Sequence, residues 1–454
     1  MSTDRVVISG AGWVTPLGSD IDGVWQRLLA GEGSIGAIEH FDASTFATRF
    51  ASQVRDFQLE DFLGERAGRH ARSSRATRMA LAAANRAWTS AGLGPLEAPE
   101  GESQRSPHVD PRRFGMYLGS GEGRMDLDNF ARTCVESWSD EDRRLDYEHW
   151  AEAAAQYLDV VAELEQEPSM CLAHMAAEFG CRGPVSNCMT ACAAGTQAVG
   201  EAFEIIRRGD ADVMLAGGAH SMIHPLGMTG FIRLTALSTR NDEPETASRP
   251  FDATREGFVM GEGAGIVVVE SLEHALNRGV TPLAEIVGFG SGADAYRITD
   301  IQPEGLGGAA AMSRALEQAG IDPSATDESG RPLVHWVNAH GTGTKENDAI
   351  ETMAVKHVFG ELASKVPFSS VKSVLGHLIQ AAGAVELITC VQAIQTGIIP
   401  ATMNLNTPDP KCDLDHVANE PRDCRAVGGV DVCLSNSFGF GGQNNSICIK
   451  RFSA

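Results

Sequence analysis

The sequence predicts an α/β fold built from one unit used twice. Four segment pairs recur in the same order along the 454 residues, and strand-like runs alternate with helix-like runs in each half. The 49 glycines and 43% hydrophobic content suit a compact, turn-rich protein with a large core. Mainly parallel sheets covered by helices are expected, with functional loops at the strand ends. The halves should span 1–281 and 282–454, divided at the turn from Gly279 to Pro282.

Each element follows from its residues. RVVISGAGWVTPLG, from Arg5, reads as a β-branched strand entering a glycine turn, and AEIVGFGSGADAY, from Ala284, repeats it. It is not a dinucleotide fingerprint, because the third glycine is missing and Pro16 stands where the helix should start. Between Leu63 and Trp88, Arg66, Arg69, Arg72, Arg75 and Arg78 are expected on one helix, as a solvated face or an anion-docking patch. FGMYLGSGEG, from Phe114, matches VHWVNAHGTGT, from Val334, each an apolar strand ending in a small-residue loop.

The stretch from Met125 to Ser169 lies outside the repeat. It combines Asp140, Glu141, Asp142, Glu163, Glu165 and Glu167 with Trp138, Tyr147, Trp150 and Tyr157. A lid, an interface arm or a surface excursion would each fit. The run from Ser186 to Asp210 passes through a small-residue turn into a helix closed by Gly209, and the run from Ser369 does the same. GFVMGEGAGIVVVE, from Gly257, and SFGFGGQNNSICIK, from Ser437, read as glycine hairpins feeding closing strands.

The turns carry the chemistry. Cys192 opens a helix, where peptide dipoles and unpaired N–H groups favour a thiolate nucleophile; the alternative is a small buried hydrophobe. His340 and His377, the latter beside Lys372, occupy matching loops of the second half. GTGTK lacks phosphate-loop spacing, and Glu346 follows Lys345, so nucleotide binding is not expected. The ten cysteines show no CxxC pair and no zinc-type spacing, so most should be core thiols.

Composition narrows the partners. With 37 basic and 60 acidic side chains, the net charge of −23 argues against nucleic acid and anionic membrane. No apolar run is long enough to cross a bilayer, and MSTDRVVISGAG does not read as a signal peptide. A cytoplasmic location is expected.

TACAAGTQAVGEA, DVMLAGGAHSM, ALSTRNDEPETASRPFD, GFVMGEGAG, NAHGTGT, VKSVLGHLIQAAGAVE and SNSFGFGGQN together resemble the elongating β-ketoacyl-acyl-carrier-protein synthases of fatty-acid and polyketide synthesis. The resemblance runs from Val6 to Lys450, interrupted mainly between Met125 and Ser169. It implies the thiolase fold, a duplicated five-layer αβαβα arrangement, as a homodimer or a heterodimer with a chain-length factor. It also implies decarboxylative condensation of a cysteine-bound acyl chain with malonyl-carrier. No metal or resident cofactor is implied, because the acyl carrier protein brings its own phosphopantetheine.

The resemblance also assigns residues. Cys192, His340, His377 and Lys372 would be catalytic, with Glu386 supporting Lys372. The backbone N–H groups of Cys192 and Phe438 would form the oxyanion hole, and Phe438 would be an aromatic gate. Thr342, Thr344 and Thr299 would hold the phosphopantetheine arm, and Arg69, Arg72 and Arg75 would dock the carrier. Ala194, Gln197, Arg297 and Gln443 depart from the usual pattern, as does the length of the Met125 to Ser169 stretch; these point to a specialised pathway. Two other readings are a carrier-dependent acyltransferase and a non-catalytic chain-length partner.

Overall fold

A computed structural model describes residues 5–96, 106–121 and 126–453. In the first half, strands cross the sheet in the order Val6–Val14, Gly263–Ser271, Val213–His220, Phe114–Gly119, Val185–Cys188. The second half repeats this order with Ala284–Ala293, Gln443–Lys450, Val432–Gly439, Trp336–Asn338 and Pro367–Ser369, and adds Asp415–His416 at the edge. The halves join where Val6 to Ile8 pair with Ala284 to Ile286, giving one eleven-stranded sheet among the described residues.

Two buried helices, Ala194–Arg207 and Ala382–Thr396, pack against each other and against strands of both halves. Helix Arg75–Ser90 covers the outer face of the first half, and Leu306–Ala319 that of the second. The strand sets of the two halves, joined among the described residues only where Val6 to Ile8 meet Ala284 to Ile286, form two β layers on either side of the buried helices, which gives the five-layer αβαβα thiolase arrangement. No described helix is long and apolar enough to cross a membrane.

The glycines of the opening strands serve packing rather than turning. Gly10 and Gly12 lie inside their strand, where a Cβ would sit 2.4 Å from the Ala87 carbonyl oxygen and 2.2 Å from that of Ala83. Gly288 and Gly290 repeat the contact, each 1.9 Å from the carbonyl oxygens of Ala315 and Ala311. The expected glycine turns are therefore sites where an outer helix backbone rests on the sheet.

Other expectations need correction. The sheet is mixed, because the first and last strands of each half pair antiparallel. Only the second glycine motif is a hairpin, joining Val432–Gly439 directly to Gln443–Lys450. In the first half, residues 221–262 intervene between the corresponding paired strands. The arginine segment is not one helix: Gly64–His70 is a 3₁₀ turn, and Ser74 caps a separate helix beginning at Arg75. From residue 126 on, the excursion forms helices Leu127–Glu136, Tyr147–Tyr157 and Val160–Leu164, with Val135, Tyr147 and Val160 exposed. Met125 and the last two residues of FGMYLGSGEG lie outside the described residues.

Candidate active site

The repeat builds the same turn twice. Ala191 at φ 46° leads through the 3₁₀ turn Ala191–Ala193 into helix Ala194–Arg207, and Ile379 at φ 43° leads through Ile379–Ala381 into helix Ala382–Thr396. The first turn presents Cys192, and the loop before the second presents His377. The His377 Nε2 lies 3.0 Å from the Cys192 Sγ.

His377 is held at both backbone ends. Its N–H donates to the Val259 carbonyl at 2.7 Å, and its carbonyl accepts from the Gly261 N–H at 2.9 Å. The Ile379 N–H donates to Nδ1 at 3.3 Å, so in the neutral ring the proton sits on Nε2, facing the sulfur.

His340 follows strand Trp336–Asn338 and is fixed differently. Its N–H and that of Gly341 each donate to Glu351 at 2.8 Å, one to each carboxylate oxygen. The Lys372 Nζ donates to the His340 carbonyl at 2.6 Å and lies 3.4 Å from its Nδ1, and it also pairs with Glu386. Nδ1 is again occupied, leaving Nε2 as the donor. The two imidazoles stand 5.4 Å apart at 82°, and burial with the nearby Lys372 charge holds both well below the usual histidine range. Both rings are neutral N–H donors at physiological pH.

Burial pushes the Cys192 thiol up to about 12, against the pull of Lys372 and of the backbone N–H groups of Phe440 and Cys192 itself. This corrects the expected thiolate: removing the sulfur from water outweighs the helix terminus. Among the N–H groups that act on the sulfur is that of Phe440, two residues beyond Phe438. The Phe438 ring instead leans on His340 at 5.9 Å and closes over Gly308, where a Cβ would lie 2.7 Å from its Cζ.

A cavity of about 490 Å³ opens onto these groups, lined by Cys192, His340, His377, Phe438 and Phe440. Thr299, Thr342 and Thr344 line the same cavity, with the hydroxyls of Thr342 and Thr344 3.1 Å apart. One atom from each of Cys192, His340 and His377 falls within 4.8 Å of the others, a spacing that could suit a metal. The donor set does not fit one: both Nδ1 atoms are engaged, both Nε2 atoms carry protons, and the Lys372 ammonium stands alongside.

The arginines expected to dock a carrier are not brought together at this cavity. Arg75 turns inward and makes two hydrogen bonds to the buried Glu262, at 3.0 and 2.9 Å, because a fully buried carboxylate requires a charged partner. Arg72 is exposed and pairs with Asp159. Arg69 is exposed beside a second cavity near His70, His174 and Glu178. Glu351 was not anticipated; the signal was a carboxylate eleven residues after His340, on helix Lys345–Phe359. Burial raises it to about 7 despite donation from two backbone N–H groups and Asn436.

The chain matches the family model of the β-ketoacyl synthase N-terminal domain over residues 3–275 and that of the C-terminal domain over 283–406. It is 39% identical over 451 residues to the 3-oxoacyl-[acyl-carrier-protein] synthase 2 of Coxiella burnetii, covering 99% of both chains. Identity to the enzyme of the same name from Synechocystis sp. is 38%, over 99% of this chain and 98% of the relative. Among solved structures, a β-ketoacyl synthase from Burkholderia phymatum superposes with a TM-score of 0.83 at 33% identity, over 99% of this chain and 100% of the other. A type II polyketide ketosynthase, AntDE, solved with its acyl-carrier protein AntF and bound to a hexaketide, gives 0.82 at 30% identity over 100% of both chains.

Proposed function

Because the chain belongs to the β-ketoacyl synthase family, we propose that it condenses a cysteine-bound acyl chain with malonyl-acyl-carrier-protein, forming a 3-oxoacyl-carrier and carbon dioxide. The observation that carries this reading is the convergence of two neutral imidazole N–H donors on one buried thiol.

The steps follow from the geometry. Cys192 sulfur attacks the thioester carbonyl of an acyl-carrier, and the N–H groups of Cys192 and Phe440 hold the tetrahedral oxyanion. The carrier leaves as its thiol, taking the proton that Cys192 gave up. Malonyl-carrier then enters and loses carbon dioxide. The enolate oxygen that results accepts hydrogen bonds from His340 and His377 Nε2, which stabilise charge as it develops. The enolate carbon attacks the acyl-cysteine, a C–C bond forms, the acyl C–S bond breaks, and the departing Cys192 thiolate takes up a proton from solvent to restore the thiol. Lys372, with Glu386, fixes His340 and adds positive charge behind it.

Thr342 and Thr344, with Thr299 at the mouth, hold the phosphopantetheine arm of the carrier; no resident cofactor is needed. The half spanning 1–281 supplies the thiol and the half spanning 282–454 both imidazoles. Among the described residues the strand Val185–Cys188 pairs on one side only, and this edge, with Val185 exposed, suits pairing with a second copy or a related chain. Gln443, Arg297 and the long excursion favour a specialised fatty-acid or polyketide pathway in the cytoplasm. Carbon dioxide release from malonyl-carrier tests the reading. A carrier-dependent acyltransferase would acylate Cys192 and release none.

A further inference from the structure

We propose that Glu262 is a positioning residue for His377, setting its distance from Cys192 through the segment 259–262. The Glu262 carboxylate is fully buried and gathers four partners from four parts of the chain. Oε1 accepts from the Val54 N–H at 3.0 Å and lies 3.0 Å from His40 Nε2; Oε2 accepts from the Ser221 hydroxyl at 2.7 Å; and Arg75 donates to both oxygens. Such convergence leaves the side chain one conformation.

The constraint passes directly to the imidazole. Glu262 N–H donates to the Ser52 carbonyl at 3.2 Å, and the Ser52 N–H donates to the Met260 carbonyl at 2.8 Å, so strand Phe50–Ser52 locks residues 260–262 from one side. On the other side the same segment brackets His377, through the Val259 carbonyl and the Gly261 N–H. The residues that hold both backbone ends of His377 are thus themselves held by strand Phe50–Ser52 and by the anchored side chain of Glu262 that follows them. The carboxylate touches neither the thiol nor the cavity. It stays ionised, since Arg75, His40 and Ser221 overcome burial and hold it down at about 2.

The inference rests on Cys192 as the reacting thiol, but its test needs no acyl substrate. Iodoacetamide alkylation of Cys192, followed by peptide mass spectrometry from pH 6 to 10, reads the His377 contact. In Glu262→Gln the rate at pH 7 should fall about tenfold or more, and the pH profile should move to higher pH, because a displaced imidazole no longer donates to the thiolate. Glu262→Asp, which keeps the charge, should partly restore it. If Glu262→Gln does not fold, Ser221→Ala removes one ligand of the same carboxylate and should give a smaller shift in the same direction. A wild-type profile in a folded variant, however much its melting temperature drops, would overturn the proposal. A normal shift with no carbon dioxide release by the wild type would instead count against the condensation reading alone.

Discussion

The Nε2 of His377 points at the Cys192 sulfur from 3.0 Å, and the ring is obliged to donate because its Nδ1 already accepts from Ile379. The thiol is raised to about 12 by burial, and this N–H is placed to support a negative charge that develops on the sulfur. Replacing His377 with Ala should slow acylation of Cys192 by about a hundredfold. The remaining rate should climb about tenfold per pH unit, following the thiolate fraction. Intact mass spectrometry against time, at several pH values, measures both.

Lys372 and Glu386 form a buried pair, 2% and 3% exposed. Lys372→Met would leave a carboxylate without its partner, destabilising the fold by about 3–5 kcal/mol. Adding Glu386→Leu should recover most of that stability but no decarboxylation, since the charge behind His340 remains absent. Urea denaturation and carbon dioxide release distinguish the two effects.

Glu351 gives a pH signature of opposite sign to an ordinary surface carboxylate. Its folded value, about 7, exceeds the unfolded 4.5, so the native state binds more protons between those values. Stability from this group is full below pH 4.5 and is lost as pH rises to 7, by about 3 kcal/mol. Glu351→Gln should flatten the decline, as denaturation midpoints at pH 5 and 8 would show.

Thr342 and Thr344 should separate binding from chemistry. Thr342→Val is expected to raise KM for acyl-carrier several-fold with kcat little changed, the pattern for a contact equal in ground and transition states. Thr344 also caps helix Lys345–Phe359 by accepting from the Asn347 N–H, so Thr344→Ala should cost about 1 kcal/mol of stability as well. Steady-state kinetics and thermal melts check the pair.

Much of the architecture was legible because the duplication repeats residue types that packing demands. Gly10, Gly12, Gly288 and Gly290 recur because two outer helices rest on two equivalent strands. Reading them as turns missed this, since a glycine needed for close approach and one needed for a turn look alike in a sequence. Cys192, His340 and His377 were legible from their motifs, and the structure gathers them around one cavity. Phe440, whose N–H acts on the sulfur, was not singled out, because Phe438 and Phe440 share one SFGFGG run and only the fold brings one N–H to Cys192. Arg75 shows a different limit: its sequence neighbours are other arginines, while its partner Glu262 is 187 residues away. The thiol's protonation was also beyond reach, because burial depth depends on the whole fold.

The most direct measurement follows one protein molecule through both half-reactions by intact mass spectrometry. Wild-type protein is loaded with an acyl-carrier and separated from it, and then given malonyl-carrier. Condensation predicts an adduct absent from Cys192→Ala, discharged by malonyl-carrier with carbon dioxide release into a carrier-bound chain two carbons longer. An adduct that malonyl-carrier cannot discharge, or a product of unchanged length, would contradict it.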